Sequence, residues 1–233
     1  MTPFLTELDS RAHIKGSRDP LGIQSIWIGF GRYIIGNLTN ASNDIRSFTT
    51  LLLGYYFIER CIGLEKDASP LSIFLKWEQL AAYARYFINN DRSFRGIERV
   101  ENSDRTKIFI SDTVQAQILS NQKIYGIWGL YRIPAANSDL IELHSITLTP
   151  RARKFVEDIY IPIFIKNNFK NCDEIVNLLT REKSLLDVQG KSRKLLNTIA
   201  DVLSIKIKPE ENKYYRENIL YGGPYDAKFN GTC

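Results

Sequence analysis

SDTVQAQILSNQKIYGIWGLYRIPAANSDLIELHSITLTPRARKFVE, residues 111–157, decides how the rest of the chain is read. A helix-prone piece, Thr113–Leu119, meets a turn at Ser120-Asn121. A second helix-prone piece, Gln122–Arg132, follows, and Pro134 should end it because proline brings no N–H to the helical ladder. Two short β-prone pieces, Asp139–Leu143 and Ser145–Leu148, lead into a sharply marked helix start. There Thr149 can accept from the orphan N–H groups, and Pro150 takes the first helical position, where its missing N–H costs nothing. The predicted order is helix, turn, helix, β-hairpin, helix.

That is the order of a winged helix-turn-helix. Asp139–Glu157, DLIELHSITLTPRARKFVE, resembles the wing and closing helix of bacterial winged-helix proteins, where a hairpin ends in a Leu-Thr-Pro step. With the flanking patterns, the expected fold is mainly α with a small β-hairpin: a winged helix-turn-helix flanked by N-terminal and C-terminal helices. The expected divisions are 1–66 (arm and helical region), 67–168 (winged-helix-like domain) and 169–233 (C-terminal helical hairpin and tyrosine-rich tail). Winged helices bind DNA but also serve as docking modules, so the fold alone assigns no chemistry.

Composition narrows the classes. Across 233 residues the apolar share of 44% and charged share of 24% are ordinary for a chain with a proper core. A net charge of +5 and a pI near 9.0 favour nucleic acid or an acidic partner. Cys61, Cys172 and Cys233 lie far apart, with no Cys-x-x-Cys, which predicts reduced thiols rather than a disulfide framework or structural zinc. The longest apolar run, Leu51–Ile58, is interrupted by Gly54 and falls well short of the ~20 residues that span a bilayer. The expectation is a soluble cytoplasmic chain with no membrane partner.

Residues 1–20 read as a polar arm. Gly29, Gly31 and Gly36 lack the spacing of a dinucleotide loop and read as close packing. Ser42 is the expected cap of a helix whose face is Ile45, Phe48, Leu52 and Tyr55, with Asp44 in its first turn. A second helix from Pro70 aligns Ile73, Trp77, Leu80, Ala84 and Phe87, leaving Lys76 and Arg85 expected in solvent. A loop and a strand, Lys107–Ser111, then carry Arg92, Arg95, Arg99, Arg105 and Lys107 among Phe94 and Phe109. Guanidinium groups so spaced suit phosphate contacts, although Glu98, Glu101 and Asp104 dilute them.

Pro162 should kink or split the helix from Thr149. Arg151, Arg153 and Lys154 sit in its first turns against the helix dipole, so they call for acidic neighbours or phosphate. Two further helices, 173–187 and 191–204, divided by Gly190, predict a helical hairpin with Leu195 and Ile199 on a docking or dimerisation face. In the tail, Tyr214, Tyr215 and Tyr221 are candidate partner contacts, or pack back on the domain.

No catalytic constellation emerges. His13 and His144 are isolated, and Ser120-x-x-Lys123 reads as a cap plus a recognition-helix lysine. Asp201 with Glu211 and Lys213 has the ingredients of a metal-dependent nuclease but sits in a loop-like context. The expectation is no cofactor, no metal and no enzyme. In the recognition helix Gln122, Lys123 and Arg132 are candidates for DNA contact, whereas Ile124 and Trp128 make it apolar enough to favour protein docking.

Residues 36–59 (GNLTNASNDIRSFTTLLLGYYFIE), 74–86 (FLKWEQLAAYARY) and 118–138 (ILSNQKIYGIWGLYRIPAANS) resemble the small middle component of bacterial three-gene DNA-defence systems of the Lamassu or plasmid-defence kind. That resemblance implies a non-catalytic accessory subunit bridging an SMC-like ATPase and an effector nuclease, with sequence-indifferent DNA contact. The alternatives are a homodimeric winged-helix transcription regulator and a divergent metal-dependent nuclease.

Overall fold

Helix α1 (Ile45–Ile62) is buried on nearly every side, which places it inside the core. Leu51, Leu52, Leu53, Phe57 and Ile58 are fully buried. The computed structural model describes residues 42–62, 69–103, 106–169 and 172–220, together with Ile23, Ile26 and Trp27. Asp44, rather than Ser42, caps α1: its carboxylate accepts from the N–H of Arg46 at 3.0 Å and of Ser47 at 3.1 Å.

Helix α2 (Pro70–Asn89) starts at Pro70 as expected and stops at Asn90, whose left-handed φ of 50° turns the chain away. It crosses α1 at Gly54, where a Cβ would stand 2.5 Å from the Phe74 ring and 2.8 Å from the Trp77 ring. Trp77 is core, and its indole N–H donates to the Thr50 carbonyl at 2.8 Å. Lys76 and Arg85, expected in solvent, are both buried. Lys76 Nζ reaches the Arg181 carbonyl at 2.7 Å, and Arg85 pairs with Asp91. Neighbouring elements cover the side of α2 that its apolar spacing leaves to water.

After a short helix α3 (Ile97–Glu101) comes strand β1 (Lys107–Ser111), as expected. Residues 113–119 form turns rather than a helix. The segment read as one helix from Gln122 is two, α4 (Gln122–Tyr125) and α5 (Ile127–Asn137), broken at Gly126. Pro134 does not end α5. It lies inside the helix, buried, and its carbonyl still accepts from the Ser138 N–H at 3.1 Å. One missing ladder bond is tolerated because core packing holds both sides of it.

The hairpin is present but minimal: β2 (Ile141–Glu142) pairs antiparallel with β3 (Thr147–Leu148), and His144 is exposed in the turn between them. Helix α6 (Pro150–Ile159) begins as predicted, with Thr149 Oγ1 accepting from the Ala152 N–H. Pro162 lies in the first turn of α7 (Ile161–Lys166), so the predicted split falls at Tyr160.

The C-terminal hairpin is not two helices. Helix α8 (Asp173–Thr180) gives way to strand β4 (Lys183–Asp187), which pairs antiparallel with β1 in the register Phe109↔Leu185. Helix α9 (Arg193–Val202) then packs on α2, and α10 (Pro209–Tyr215) runs into a π-helical turn, Arg216–Leu220. The described residues are therefore mainly helical with two small two-stranded antiparallel sheets. One hydrophobic core runs from Phe48 to Ile219 through all three predicted segments. Among the described residues no helix is long and apolar enough to cross a membrane.

Candidate nucleic-acid interface

Outward-facing residues of a two-stranded sheet alternate along each strand, and opposite residues share a face. On β1 and β4 the exposed face carries Lys107 and Phe109 beside Lys183 and Leu185, while Ile108, Ile110 and Leu186 point into the core. Phe109 and Leu185 stand directly opposite each other at 49% and 47% exposure. The Lys183 ammonium lies over the Phe109 ring, 4.0 Å from its centroid, a cation–π contact. Beside this face opens a cleft of about 560 Å³, with Arg99, Lys107 and Lys183 supplying cations, Phe109 an aromatic wall and Glu182 one acid. A second depression of about 410 Å³, lined by Arg95 and again by Arg99, adjoins it across the 117–120 segment. Arg99 is fixed between the two by donating to the Gln117 carbonyl at 2.7 Å and the Leu119 carbonyl at 3.3 Å.

The structure thus brings together Arg95, Arg99 and Lys107 of the predicted arginine-rich segment. Arg92 is drawn into an ion pair with Glu101 instead, and Arg105 lies outside the described residues. Lys183, in the segment expected as the helix 173–187, completes the cluster from strand β4. Its signal was hidden because the Lys-Ser-Leu-Leu-Asp run of β4 has no alternation of apolar and polar residues to mark it as a strand.

The recognition-helix candidates fare differently. Gln122 is fully buried and cannot reach a base. Its amide donates to the Leu75 carbonyl at 2.9 Å and to Glu78 at 2.8 Å, tying α4 to α2. Arg132 is held by the Tyr55 hydroxyl at 2.9 Å and lies over the Trp128 ring. Lys123 remains exposed. The first-turn cations of α6 find acidic neighbours: Arg151 pairs with Glu217 at 3.2 Å and Arg153 with Glu59 at 2.7 Å, while Lys154 is exposed.

Of the candidate docking residues, Ile124 is 53% exposed; Ile133 on α5, which was not among them, is 57% exposed. Trp128 is buried, and so are Leu195 and Ile199, which serve the α9–α2 contact instead of an outer face. Tyr214 and Tyr215 are buried too, stacked and edge-on against Phe155. Tyr221 lies outside the described residues.

Of the two carboxylates in the expected nuclease pattern, Glu211 is held by internal partners. Glu211 is buried and accepts from Arg46 at 2.6 Å, from the Tyr160 hydroxyl at 2.8 Å and from the Lys208 N–H at 2.7 Å. Burial would raise its pKa, but these donors together hold it below the usual carboxylate value. The other members of that pattern, Asp201 on α9 and Lys213 on α10, are exposed. Among the described residues no group of three or more His, Cys, Asp or Glu side chains is placed to hold a metal. Glu78 is a second buried acid, pushed up to about 7 by burial, with the Ile127 N–H and Gln122 opposing the shift. No protein-family model, curated protein or solved structure matches the chain.

Proposed function

We propose that the chain is a non-catalytic accessory subunit that touches nucleic-acid backbone through the β1–β4 cleft and docks on a larger protein partner. One observation carries the reading: Arg99, Lys107 and Lys183 converge on a single cleft while the buried carboxylates are consumed by internal partners. Cations gathered on one surface supply sequence-indifferent affinity, because they answer phosphate charge and not base identity. The order of turns, α4, α5, hairpin and α6 supports a winged-helix-like unit. In it, burial of Gln122 and clamping of Arg132 weigh against base reading and leave the regulator alternative with Lys123 as its exposed recognition-helix candidate. Ile124, exposed on α4, is the recognition-helix residue left available for protein docking. The resemblance to defence-system middle components names the partner class, an SMC-like ATPase acting with an effector nuclease, in the cytoplasm.

The test is anisotropy with labelled 30-nucleotide DNA at rising salt. Three phosphate contacts predict that affinity falls roughly 20- to 40-fold between 50 and 200 mM salt. Lys107→Glu with Lys183→Glu should abolish most of that slope. Binding that ignores both salt and these two charges would overturn the reading.

A further inference from the structure

Resting on the nucleic-acid reading of the same cleft, we infer that its ligand is a single strand with one unpaired base stacked on Phe109. Phosphate contact needs only cations at a rim. A large aromatic ring kept half in water has a different use. On the β1–β4 face Phe109 is 49% exposed and forms an apolar floor to the cleft, with Leu185 opposite it on the same sheet face. Around that floor stand Lys107, Lys183 and Arg99. An apolar ring ringed by cations matches the two parts of an unpaired nucleotide, a flat π-face and a phosphate beside it. In a duplex the base faces are already stacked on each other, so Phe109 would meet only sugar and phosphate and add nothing.

The size agrees. A cleft of about 560 Å³ lies within the roughly 300–1,000 Å³ range of pockets that enclose a ligand of about one nucleotide. Without a ligand, the Lys183 ammonium occupies the ring face, 4.0 Å from the centroid. A base entering there takes over the ring, and the lysine swings out to the neighbouring phosphate, so its charge is used in both states. Thr113 and Gln115, exposed in the lining of the same cleft, offer polar groups to base edges without selecting one base.

The experiment compares the full chain with Phe109→Leu and Phe109→Tyr, binding a 12-nucleotide single strand, the matching duplex and a mononucleotide. Because Phe109 is half-exposed, neither variant should disturb folding, and circular dichroism checks that. Loss of one stacked base should weaken single-strand binding roughly 5- to 150-fold in Phe109→Leu, while Phe109→Tyr binds like the parent. Duplex affinity should be weaker than single-strand affinity and indifferent to both variants. Equal binding of strand and duplex, or a Phe109→Leu variant with unchanged strand affinity, would refute base stacking yet leave the backbone-contact reading standing. A mononucleotide that binds as tightly as the strand would overturn the strand assignment. Salt-independent binding, or none to any probe, would instead sink the nucleic-acid reading itself.

Discussion

Glu211→Ala separates a structural carboxylate from a catalytic one. The Glu211 carboxylate faces Arg46 with both oxygens, at 2.6 Å and 3.3 Å, and also accepts from Tyr160 and the Lys208 N–H. Arg46 keeps only the Lys206 carbonyl, at 2.8 Å, when that carboxylate is removed. Removing one partner of a buried ion pair leaves an uncompensated charge in the core and costs about 3–5 kcal/mol. Against a typical total of roughly 5–15 kcal/mol, that is a large share of what keeps the chain folded. With a urea slope of about 2–3 kcal/mol per molar, the unfolding midpoint should fall by roughly 1–2 M. The double variant Arg46→Met with Glu211→Leu should recover much of the loss, because replacing both charges by apolar groups of similar volume is often neutral. Equilibrium urea unfolding followed by far-UV circular dichroism reads all three proteins. A Glu211→Ala protein that unfolds at the parent's midpoint would refute the assignment and return Glu211 to the list of candidate metal ligands.

Glu78 gives the opposite pH signature to Glu211. Its pKa, about 7 in the fold, lies above its value of about 4.5 when unfolded, so its stabilising contribution is full below pH 4.5 and is lost as pH rises to 7. Glu78→Gln should therefore match the parent at pH 4.5 and exceed it by roughly 3 kcal/mol at pH 8 in urea titrations. Glu211 and Asp91, both held below the usual carboxylate range, stabilise above about pH 4.5 and release that stability as pH falls through their folded values, which predicts acid unfolding below pH 4. Gly54→Ala, normally a gain inside a helix, should cost about 1–3 kcal/mol by driving a methyl into Phe74 and Trp77, read as a drop of roughly 2–12 °C in Tm. In a Cys233→Ser background neither Cys61 nor Cys172 should react with a thiol reagent until the chain unfolds, because both are buried and burial pushes the Cys172 thiol up to about 11.

Local signals in the sequence survived into the fold where the chain itself makes the contact. Thr149-Pro150 starts α6, Pro70 starts α2, and the hairpin forms where β-prone residues flank a turn. What could not be read were positions decided by a distant partner. Lys183–Asp187 becomes a strand only because β1, far earlier in the chain, offers its edge in the register Lys107↔Asp187. Gln122, Lys76 and Arg85 have polar side chains on exposed-looking faces, yet each is buried against a backbone carbonyl or a carboxylate supplied by another element. Tyr214 and Tyr215 belong to the same class, since only Phe155 on α6 and the hydroxyls of Thr49 and Tyr160 explain their burial. The part of the candidate cleft on α3 and β1 was legible in the arginine-rich segment; the part on β4 was not.

That division bears on how the molecule works. Of its buried charges, Arg46 with Glu211 joins α1 to α10, far apart in sequence, while Arg85 with Asp91 pins the turn that leaves α2. An unpaired alternative would strand a charge in the core, so these pairs specify one arrangement of the helices more than they add net stability. A rigid frame of that kind is what a two-strand surface needs: β1 and β4 are too short to be stable by themselves and keep Lys107, Phe109 and Lys183 in place only because Ile108, Ile110 and Leu186 are anchored in the core beneath. Leu186→Ala should consequently loosen the cleft as well as the fold. It should weaken DNA binding in proportion to the lost stability of the β1–β4 pair, measured by amide hydrogen exchange of the strand residues. Full DNA affinity alongside fast strand exchange would mean that the cleft does not depend on the sheet.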